Sequence, residues 1–240
     1  MNKKIVKIPN VTEEVRIGYS FNYMIKVIAE TEATEAVLWD FADVSFLHPF
    51  FLAPLAIYKN TSGKDIECIN ISLRIQSYLN SICFDRMLHF SNEKREDVEA
   101  VMQKYTDKTY LPLCSFAMTD SNKDTFGSIM KTVIMKQANI GRSGSSSLSY
   151  LISELLDNIY EHSQSPNGYV FSQYLEKEGV INLCIADTGI TIAGSFKRAG
   201  LYQKEIDGSE TEALKLANEG CSTKNRPEAE NRGYGISTYL

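Results

Sequence analysis

The sequence has few of the residues that build metal centres or covalent cross-links. Its 240 residues include only five cysteines and three histidines. The cysteines are odd in number, widely spaced and without a Cys-x-x-Cys pair, so we expect reduced, mostly buried thiols rather than a disulfide framework. The histidines are isolated from one another and from the cysteines, which argues against a tetrahedral zinc site. These residues are Cys68, Cys83, Cys114, Cys184 and Cys221, and His48, His89 and His162.

Long apolar runs and a strong positive charge are also missing. No window approaches about eighteen consecutive apolar residues, the length of a membrane-spanning helix. The start, MNKKIVKIPNVTEEV, has basic residues without the apolar segment of a signal peptide. A net charge of −5 and a pI of about 5.4 give no electrostatic footprint for nucleic acid or anionic lipid. We therefore expect a globular, cytoplasmic protein without nucleic-acid or membrane partners.

The N-terminal part of the chain alternates between strand and helix patterns. Its order is βαβαβα, which is typical of a small α/β unit. A strongly charged, polar stretch at 91–109 then suggests a domain boundary. We predict an α/β domain at 1–88, a charged linker and the start of a second domain at 89–122, and the rest of that domain at 123–240. The predicted strands are 4–9, 36–41 and 65–73, and the predicted helices are 20–30, one beginning at Pro49 or Pro54, and 74–84.

The second half of the chain also contains both kinds of element. Two strands within 168–189 flank a Lys-Glu-Gly turn, and the second strand ends at Asp187. Ser209 and Glu212 form a capping-box pattern at the start of a short helix. The predicted helices are 123–140, 148–159 and 209–220; the predicted flexible connection is 141–149, whose serines offer an N-cap, and the predicted mobile loops are 190–208 and 221–232.

The helix at 148–159 carries a second, polar stripe beside its apolar face. At about 100° per residue, five polar side chains fall together, and Glu154 and Asn158 stand one turn apart, able to converge on one ligand. An ordinary solvated face explains the same pattern. The stripe comprises Glu154, Asp157, Asn158, Glu161 and His162.

Three short motifs follow one another in the chain and favour the ligand-binding interpretation. They are ELLDN at 154–158, ADTG at 186–189 and NRGYGIS at 231–237. This ordered set resembles the GHKL superfamily of ATPases, which includes gyrase, histidine kinases, mismatch-repair ATPases and anti-sigma-factor kinases. The resemblance covers about residues 110–240 and implies a two-layer α/β sandwich that binds ATP with Mg²⁺. Because each motif is short, an unrelated α/β domain with coincidental motifs is the alternative.

The resemblance implies roles for four residues of the first two motifs. Asp187 would accept a hydrogen bond from the exocyclic amine of adenine, which discriminates against bases without that donor. Gly189 would let the backbone approach the base. Asn158 would be a magnesium ligand, since Mg²⁺ takes only one or two ligands from protein. Glu154 would activate water against the γ-phosphate, or act on a phosphoacceptor in kinase members.

The third motif implies a phosphate-binding segment and a lid. Gly233 and Gly235 would present backbone N–H groups to the phosphates at a helix start. Lys224 would add positive charge there, and Thr223 would make a polar contact within the lid that covers ATP. Ser222, Arg226 and Arg232 are further candidates for these contacts.

The chain departs from the family pattern at three points. Thr191 and Asn231 stand where the family often has glycine, and the chain ends at Leu240 where the family continues with a helix and further strands. We therefore expect a C-terminally truncated GHKL domain with altered hinging of the lid.

The segment VLWDFADVSFLHPFFLAPLAIY, at 37–58, resembles the STAS domain of anti-sigma-factor antagonists. In that family the loop between strand and helix bears a phosphorylated serine. Here the corresponding residues, 48–51, contain no hydroxyl, so the first domain is predicted to be a docking or regulatory module. Its aromatic run is expected to be core rather than partner surface.

Two functions from different classes follow. The first is an ATP/Mg²⁺-binding regulator that hydrolyses ATP or phosphorylates a partner protein, as anti-sigma-factor kinases do, with homodimerisation possible. The second is a non-catalytic protein-interaction module with a structural or degenerate nucleotide site. Glu154 together with Asn158 favours the first, because a purely structural pocket needs no base. The altered glycine motifs and the early C-terminus favour the second.

Overall fold

The protein has a mixed α/β fold, seen in a computed structural model that describes residues 3–12, 17–221 and 223. The mixed α/β class predicted from the sequence is confirmed. The described strands are β1 (Lys4–Lys7), β2 (Ala36–Asp40), β3 (Asp65–Ile69), β4 (Leu88–Phe90), β5 (Tyr110–Ala117), β6 (Asn167–Leu175) and β7 (Val180–Asp187). The described helices are α1 (Ile17–Glu32), α2 (Pro49–Thr61), α3 (Leu73–Ser81), α4 (Arg95–Met102), α5 (Asp120–Gln137), α6 (Arg142–Asn158), α7 (Ile192–Ala199), α8 (Gln203–Ile206) and α9 (Glu210–Asn218), with a 3-10 turn at Gln103–Tyr105 and a π-helical turn at Ile159–Ser163.

The first sheet is parallel, in the order β1-β2-β3. The predicted βαβαβα order is confirmed, with α1 and α2 as the crossovers and α3 after the last strand. Val6 and Trp39 are buried on one face, while Ile5 on the other is exposed. The strand predicted at 65–73 stops at Ile69, because Asn70 adopts a left-handed backbone conformation with φ of 55°.

The second sheet is mixed, in the order β4-β5-β6-β7. The predicted hairpin is confirmed as the antiparallel pair β6 and β7. The sequence analysis missed β4 and β5. Pro112 obscures the β5 pattern, since proline removes a ladder donor, and a register shift between Leu111 and Cys114 accommodates it.

Helices α5 and α6 form a hairpin that packs against the second sheet. The predicted helix at 123–140 starts earlier, because the Thr119 side chain caps α5 by accepting a hydrogen bond from the Asn122 N–H at 3.2 Å. The flexible connection predicted at 141–149 is wrong, because α6 begins at Arg142. Its predicted serine N-cap is wrong as well, since Gly141 is the N-cap and offers no side-chain hydrogen bond. Gly144, in the first turn of this helix, lies so close to Ile140 that a β-carbon there would come within 2.6 Å of the isoleucine side chain.

The mobile loop predicted at 190–208 is also wrong, since it contains α7 and α8. Thr191 caps α7 by accepting a hydrogen bond from Gly194 N–H at 3.1 Å, and Gly200, with φ of 70°, ends it. The predicted cap of the next helix is confirmed, because Ser209 Oγ accepts from Glu212 N–H at 3.3 Å. Of the loop predicted at 221–232, only residues 221 and 223 lie among the described residues.

Helix α2 is apolar around its whole circumference and is buried between the two sheets. It lies against β6 and β7, and its core also includes Trp39 of the first sheet and Leu113 and Phe171 of the second. The prediction that the aromatic run is core is confirmed, because Leu47 and Phe51 are buried. None of the helices in the described ranges is long and apolar enough to cross a membrane.

Hydrogen bonds also join the N-terminal α/β unit to the second sheet at positions outside α2. Leu113 N–H donates to the Ile82 carbonyl at 2.9 Å, and Tyr78 Oη donates to Gln173 Oε1 at 2.9 Å. Each bond links the segment around α3 to a strand of the second sheet. The two sheets therefore share both a hydrophobic core and polar contacts.

This shared core predicts that damage in the second sheet is felt in the first. We expect Phe171→Ala to lower the free energy of unfolding by about 3 to 5 kcal/mol, because it leaves a cavity in a fully buried site. Urea unfolding is followed by circular dichroism and by the fluorescence of Trp39, the single tryptophan, which reports on the first sheet. The exposed Val180→Ala, in the same sheet, is the control and should cost no more than about 1 kcal/mol. An unchanged Trp39 midpoint in Phe171→Ala would show that the sheets unfold independently.

Candidate functional site

The candidate site begins with the polar stripe of α6. Ile152 and Leu156 are buried on the face of this helix that lies against Gly127 of α5, within the core that the two helices share with the second sheet. Glu154 and Asn158 are half-buried beside that face. The helix continues without a break into the π-helical turn and ends at Gln164, whose φ is 58°. The stripe is thus neither core nor fully solvated surface, which is where a ligand-binding side chain is expected.

The end of strand β7 lies directly against the end of this helix. Ile190 N–H donates to the Ser163 carbonyl at 2.6 Å, and Thr188 N–H donates to Ser165 Oγ at 3.4 Å. At about 1.5 Å per residue, Asn158 is roughly 7 Å and Glu154 roughly 13 Å back along the helix from Ser163. The turn that contains the second motif therefore lies against the π-helical end of α6, one to three helical turns beyond the residues of the first motif.

Asp187 is exposed at this junction and held in one orientation. Its Oδ1 accepts a hydrogen bond from Gly189 N–H at 2.8 Å, which closes a tight turn after the strand. This turn therefore orients the carboxylate, and its second oxygen faces away from packed side chains because the residue is exposed. An exposed, pre-oriented carboxylate can accept a hydrogen bond from a ligand donor.

Gly189 is required by the protein backbone itself. A β-carbon at this position would overlap the carbonyl oxygen of Ser163 and come within 2.9 Å of Ser165 N. The close approach predicted for an adenine base is, in this structure, an approach to the end of α6. A contact between Gly189 and ATP stays a prediction, but this glycine already has a structural reason to be there.

A small polar network ties α7 to the π-helical turn. Thr223 Oγ1 lies 2.7 Å from His162 Nδ1 and 3.2 Å from Ser195 Oγ. Arg198 Nη2 donates to the Glu161 carbonyl at 3.3 Å. Sequence analysis missed Ser195 and Arg198 because α7 was taken for a loop. Thr191 as a helix cap, with Gly200 as its stop, was the signal that could have found them.

Lys123 is a third residue that the sequence analysis missed. It forms a hydrogen-bonded ion pair with Asp157, and its Nζ lies 5.0 Å from the centre of the Tyr160 ring. Burial works against the lysine's charge, but the hydrogen bond to Asp157 and the negative charges of Asp157, Asp124 and Asp120 together outweigh it and raise the pKa of Lys123. The pair links α5 to α6 and keeps Asp157 from acting as a free carboxylate. No local pattern reveals it, since the two residues are far apart in sequence.

Only some of the remaining predicted site residues lie within the described part of the chain. Thr223 is described, whereas Gly233, Gly235 and Lys224 lie outside the described residues. Within the described ranges, no group of three or more His, Cys, Asp or Glu side chains could hold a metal ion. A single protein ligand such as Asn158 is compatible with Mg²⁺, because this ion keeps most of its bound water and takes only one or two ligands from the protein.

Comparisons with known proteins add no relative. No family model, no curated protein and no solved structure matches the chain. The assignment of the motifs to the GHKL superfamily therefore stays a prediction that depends on their residues and on the junction of α6 with β7.

The packing of Gly189 predicts a sharp contrast between two glycines. We expect Gly189→Ala to destabilise the fold by about 2 kcal/mol or more, because its methyl group must displace the backbone of Ser163. Gly141→Ala is the matched control, since φ is −71° there and no atom lies within 4 Å of the added carbon. Thermal and urea unfolding measure both variants, and the control should change stability by no more than about 1 kcal/mol. Equal stability of the two variants would contradict the described junction.

Proposed function

We propose that this chain is an ATP- and Mg²⁺-binding regulatory protein. In this proposal residues from about 110 onward form a GHKL-type ATP-binding domain, and the first α/β unit is STAS-like. The junction of the β7 end with the end of α6 carries the proposal, because it brings the ADTG motif to the helix that bears Glu154 and Asn158.

Asp187 is proposed to read adenine. Its carboxylate is exposed at the strand end, and one oxygen is already held by Gly189 N–H. A fixed carboxylate accepts a hydrogen bond from an exocyclic amine and repels a carbonyl oxygen at the same position, so it favours adenine over guanine. The site would therefore be selective for the base as well as for the phosphates.

Asn158 and Glu154 are proposed to act at the phosphate end. Asn158 offers an amide oxygen to Mg²⁺, whose chemistry is to neutralise and orient the phosphates. Glu154 is half-buried one turn earlier and would take the proton of an attacking water or of an acceptor hydroxyl. The oxygen of that water or hydroxyl then bonds to the γ-phosphorus as ADP leaves. The products would be ADP with free phosphate, or ADP with a phosphorylated partner.

A second candidate function is a protein-interaction module without turnover. Helix α1 favours it, because four large apolar or aromatic side chains on this helix are exposed: Tyr19 by 60%, Phe21 by 41%, Tyr23 by 41% and Ile25 by 59%. They form two pairs on opposite flanks of the helix, Tyr19 with Tyr23 and Phe21 with Ile25. Exposed apolar side chains grouped in this way are found at binding sites for other proteins. A regulatory partner or a second copy of the chain would satisfy it, and the same surface is compatible with the ATP-binding proposal.

Nucleotide binding is tested by titrating the chain with ATP in the presence and absence of magnesium, using calorimetry. We expect magnesium-dependent binding that weakens about 10- to 100-fold in Asp187→Asn, because a charge-assisted hydrogen bond to adenine is lost. Asp107→Asn, an exposed substitution of the same type, should bind as the parent chain does. Ordinary ATP binding by Asp187→Asn would overturn the adenine assignment. Failure of the parent chain to bind ATP would favour the interaction module.

Glu154 is tested by separating binding from turnover. We expect Glu154→Ala to bind ATP within about twofold of the parent chain and to lose at least about 100-fold in phosphate release, since only proton transfer is removed. The exposed Glu178→Ala should retain both properties. An equal loss of binding and turnover in Glu154→Ala would assign this residue to ligand binding rather than to catalysis.

A further inference from the structure

The first sheet has one face on which its helices do not lie. The strand order is β1-β2-β3, and right-handed crossovers between parallel neighbours place α1 and α2 together on the opposite face. The core on that opposite face includes side chains of α1, α2 and α3. We call the other side of the sheet the open face. Parallel sheets are normally covered on both sides, so the open face is suited to a partner.

The strand register places nine residues on the open face, in three rows across the strands. The ammonium of Lys3 shows that its row faces this way, because it reaches over β2 to Asp65 Oδ2 at 2.8 Å and to Glu67 Oε2 at 3.2 Å. Within the described part of the chain, none of the nine side chains belongs to a hydrophobic core. The rows are Lys3–Ala36–Asp65, Ile5–Leu38–Glu67 and Lys7–Asp40–Ile69.

Apolar side chains run diagonally across the middle of the open face. Ile5 is 57% exposed, and Leu38 and Ile69 are half-buried. Their neighbours in the sheet are the only cover that the described structure gives them on this side. Removing such side chains from water is favourable, so the centre of the open face supplies a driving force for association.

Charges of opposite sign occupy the two edges of the open face. The β1 edge carries Lys3 and Lys7, and the β3 edge carries Asp65 and Glu67, whose side chains are 64% and 59% exposed. The remaining carboxylate, Asp40, accepts hydrogen bonds within its own loop region at the end of β2. The open face is therefore positive along one edge and negative along the other.

The charges of these edges are paired only loosely within the chain. Lys3 is shared between two carboxylates, and the Nζ of Lys7 lies 3.7 Å from Asp43 Oδ2 with both side chains more than three-quarters exposed. Exposed ion pairs of this kind contribute little to stability. Exchanging these partners for equivalent ones on another molecule therefore costs little.

We propose that the open faces of two copies of this chain pack together as a symmetric dimer. A two-fold axis parallel to β2 places the β1 edge of each copy over the β3 edge of the other, so that lysines face carboxylates. The same axis brings the two Leu38 side chains together near the centre. An axis across the strands would instead place lysines over lysines and carboxylates over carboxylates, which is unfavourable.

The size of the open face sets the expected affinity. With strands about 4.8 Å apart and a rise of about 3.3 Å per residue, the face measures roughly 15 Å by 17 Å. Interfaces of this extent lie at the small end of specific protein–protein contacts, so we expect a weak dimer with a Kd on the order of 100 µM.

Sedimentation equilibrium of the full chain from about 10 to 500 µM tests the dimer across this expected Kd. Ile5→Glu should weaken association at least about tenfold, because it places a carboxylate against the acidic edge of the other copy. Ile25→Glu on α1 is the matched control, since Ile25 is 59% exposed, and it should associate as the parent chain does. A parent chain that stays monomeric over this range would overturn the proposal. Loss of the dimer in Ile25→Glu but not in Ile5→Glu would assign the contact to α1 and would overturn it too.

Exchanging the charges of the two edges separates a contact between copies from damage to the fold. Lys3→Glu with Lys7→Glu, and Asp65→Lys with Glu67→Lys, should each weaken self-association at least about tenfold, because each gives both edges the same sign. An equal mixture of the two double variants should regain the parent affinity, since each edge then meets its opposite.

A third double variant controls for net charge. Lys104→Glu with Lys177→Glu changes two exposed lysines away from the open face and should leave the dimer intact. Circular dichroism checks that each variant is folded. A mixture that stays monomeric while the parent chain dimerises would overturn the proposed axis and face. None of these results depends on whether the chain binds ATP.

Discussion

The burial of α2 between two sheets is the constraint on which the rest of the structure depends. A helix with one apolar face can rest on one sheet and leave its other face in water. This helix is apolar on every side, so both of its faces must be covered. The first sheet covers one face, and the second sheet covers the other. Phe171 and Leu113 complete a core that also holds Trp39. The sheet that carries the candidate site is therefore anchored to the N-terminal α/β unit by its packing.

Helix α6 contacts several neighbouring elements on the other side of the second sheet. Its buried face packs on the strands, its end receives the turn after β7, and its flank forms a groove with α5. The Lys123–Asp157 pair fixes the helix relative to α5, and Gly189 allows the strand end to approach Ser163. The helix that carries the residues of the proposed ATP site is thus held by contacts with α5 and with the turn after β7.

The errors of the sequence analysis have a common physical origin. Serines at 143–149 have low helix propensity, yet they form the first turns of α6, a helix that packs against α5 along its length after them. The segment at 190–208 contains three glycines, yet Phe196 and Ile206 form a small core with Ala213 that stabilises α7 and α8. Strand β5 contains a proline that a register shift accommodates. In each case a contact distant in sequence outweighed a local preference.

Local pattern was enough wherever short-range chemistry decides the structure. The alternation of strands and helices in the first unit, the β6–β7 hairpin, the amphipathic face of α6 and the Ser209 cap all follow from periodicity and from side-chain to backbone bonds within a few residues. The same pattern singled out Glu154, Asn158 and Asp187, but not how they lie relative to one another. Tertiary structure alone decided that the β7 end meets α6, that Lys123 neutralises Asp157, and that α2 joins the two sheets. Such contacts depend on the packing of segments far apart in the chain, and a sequence read residue by residue carries no measure of that packing.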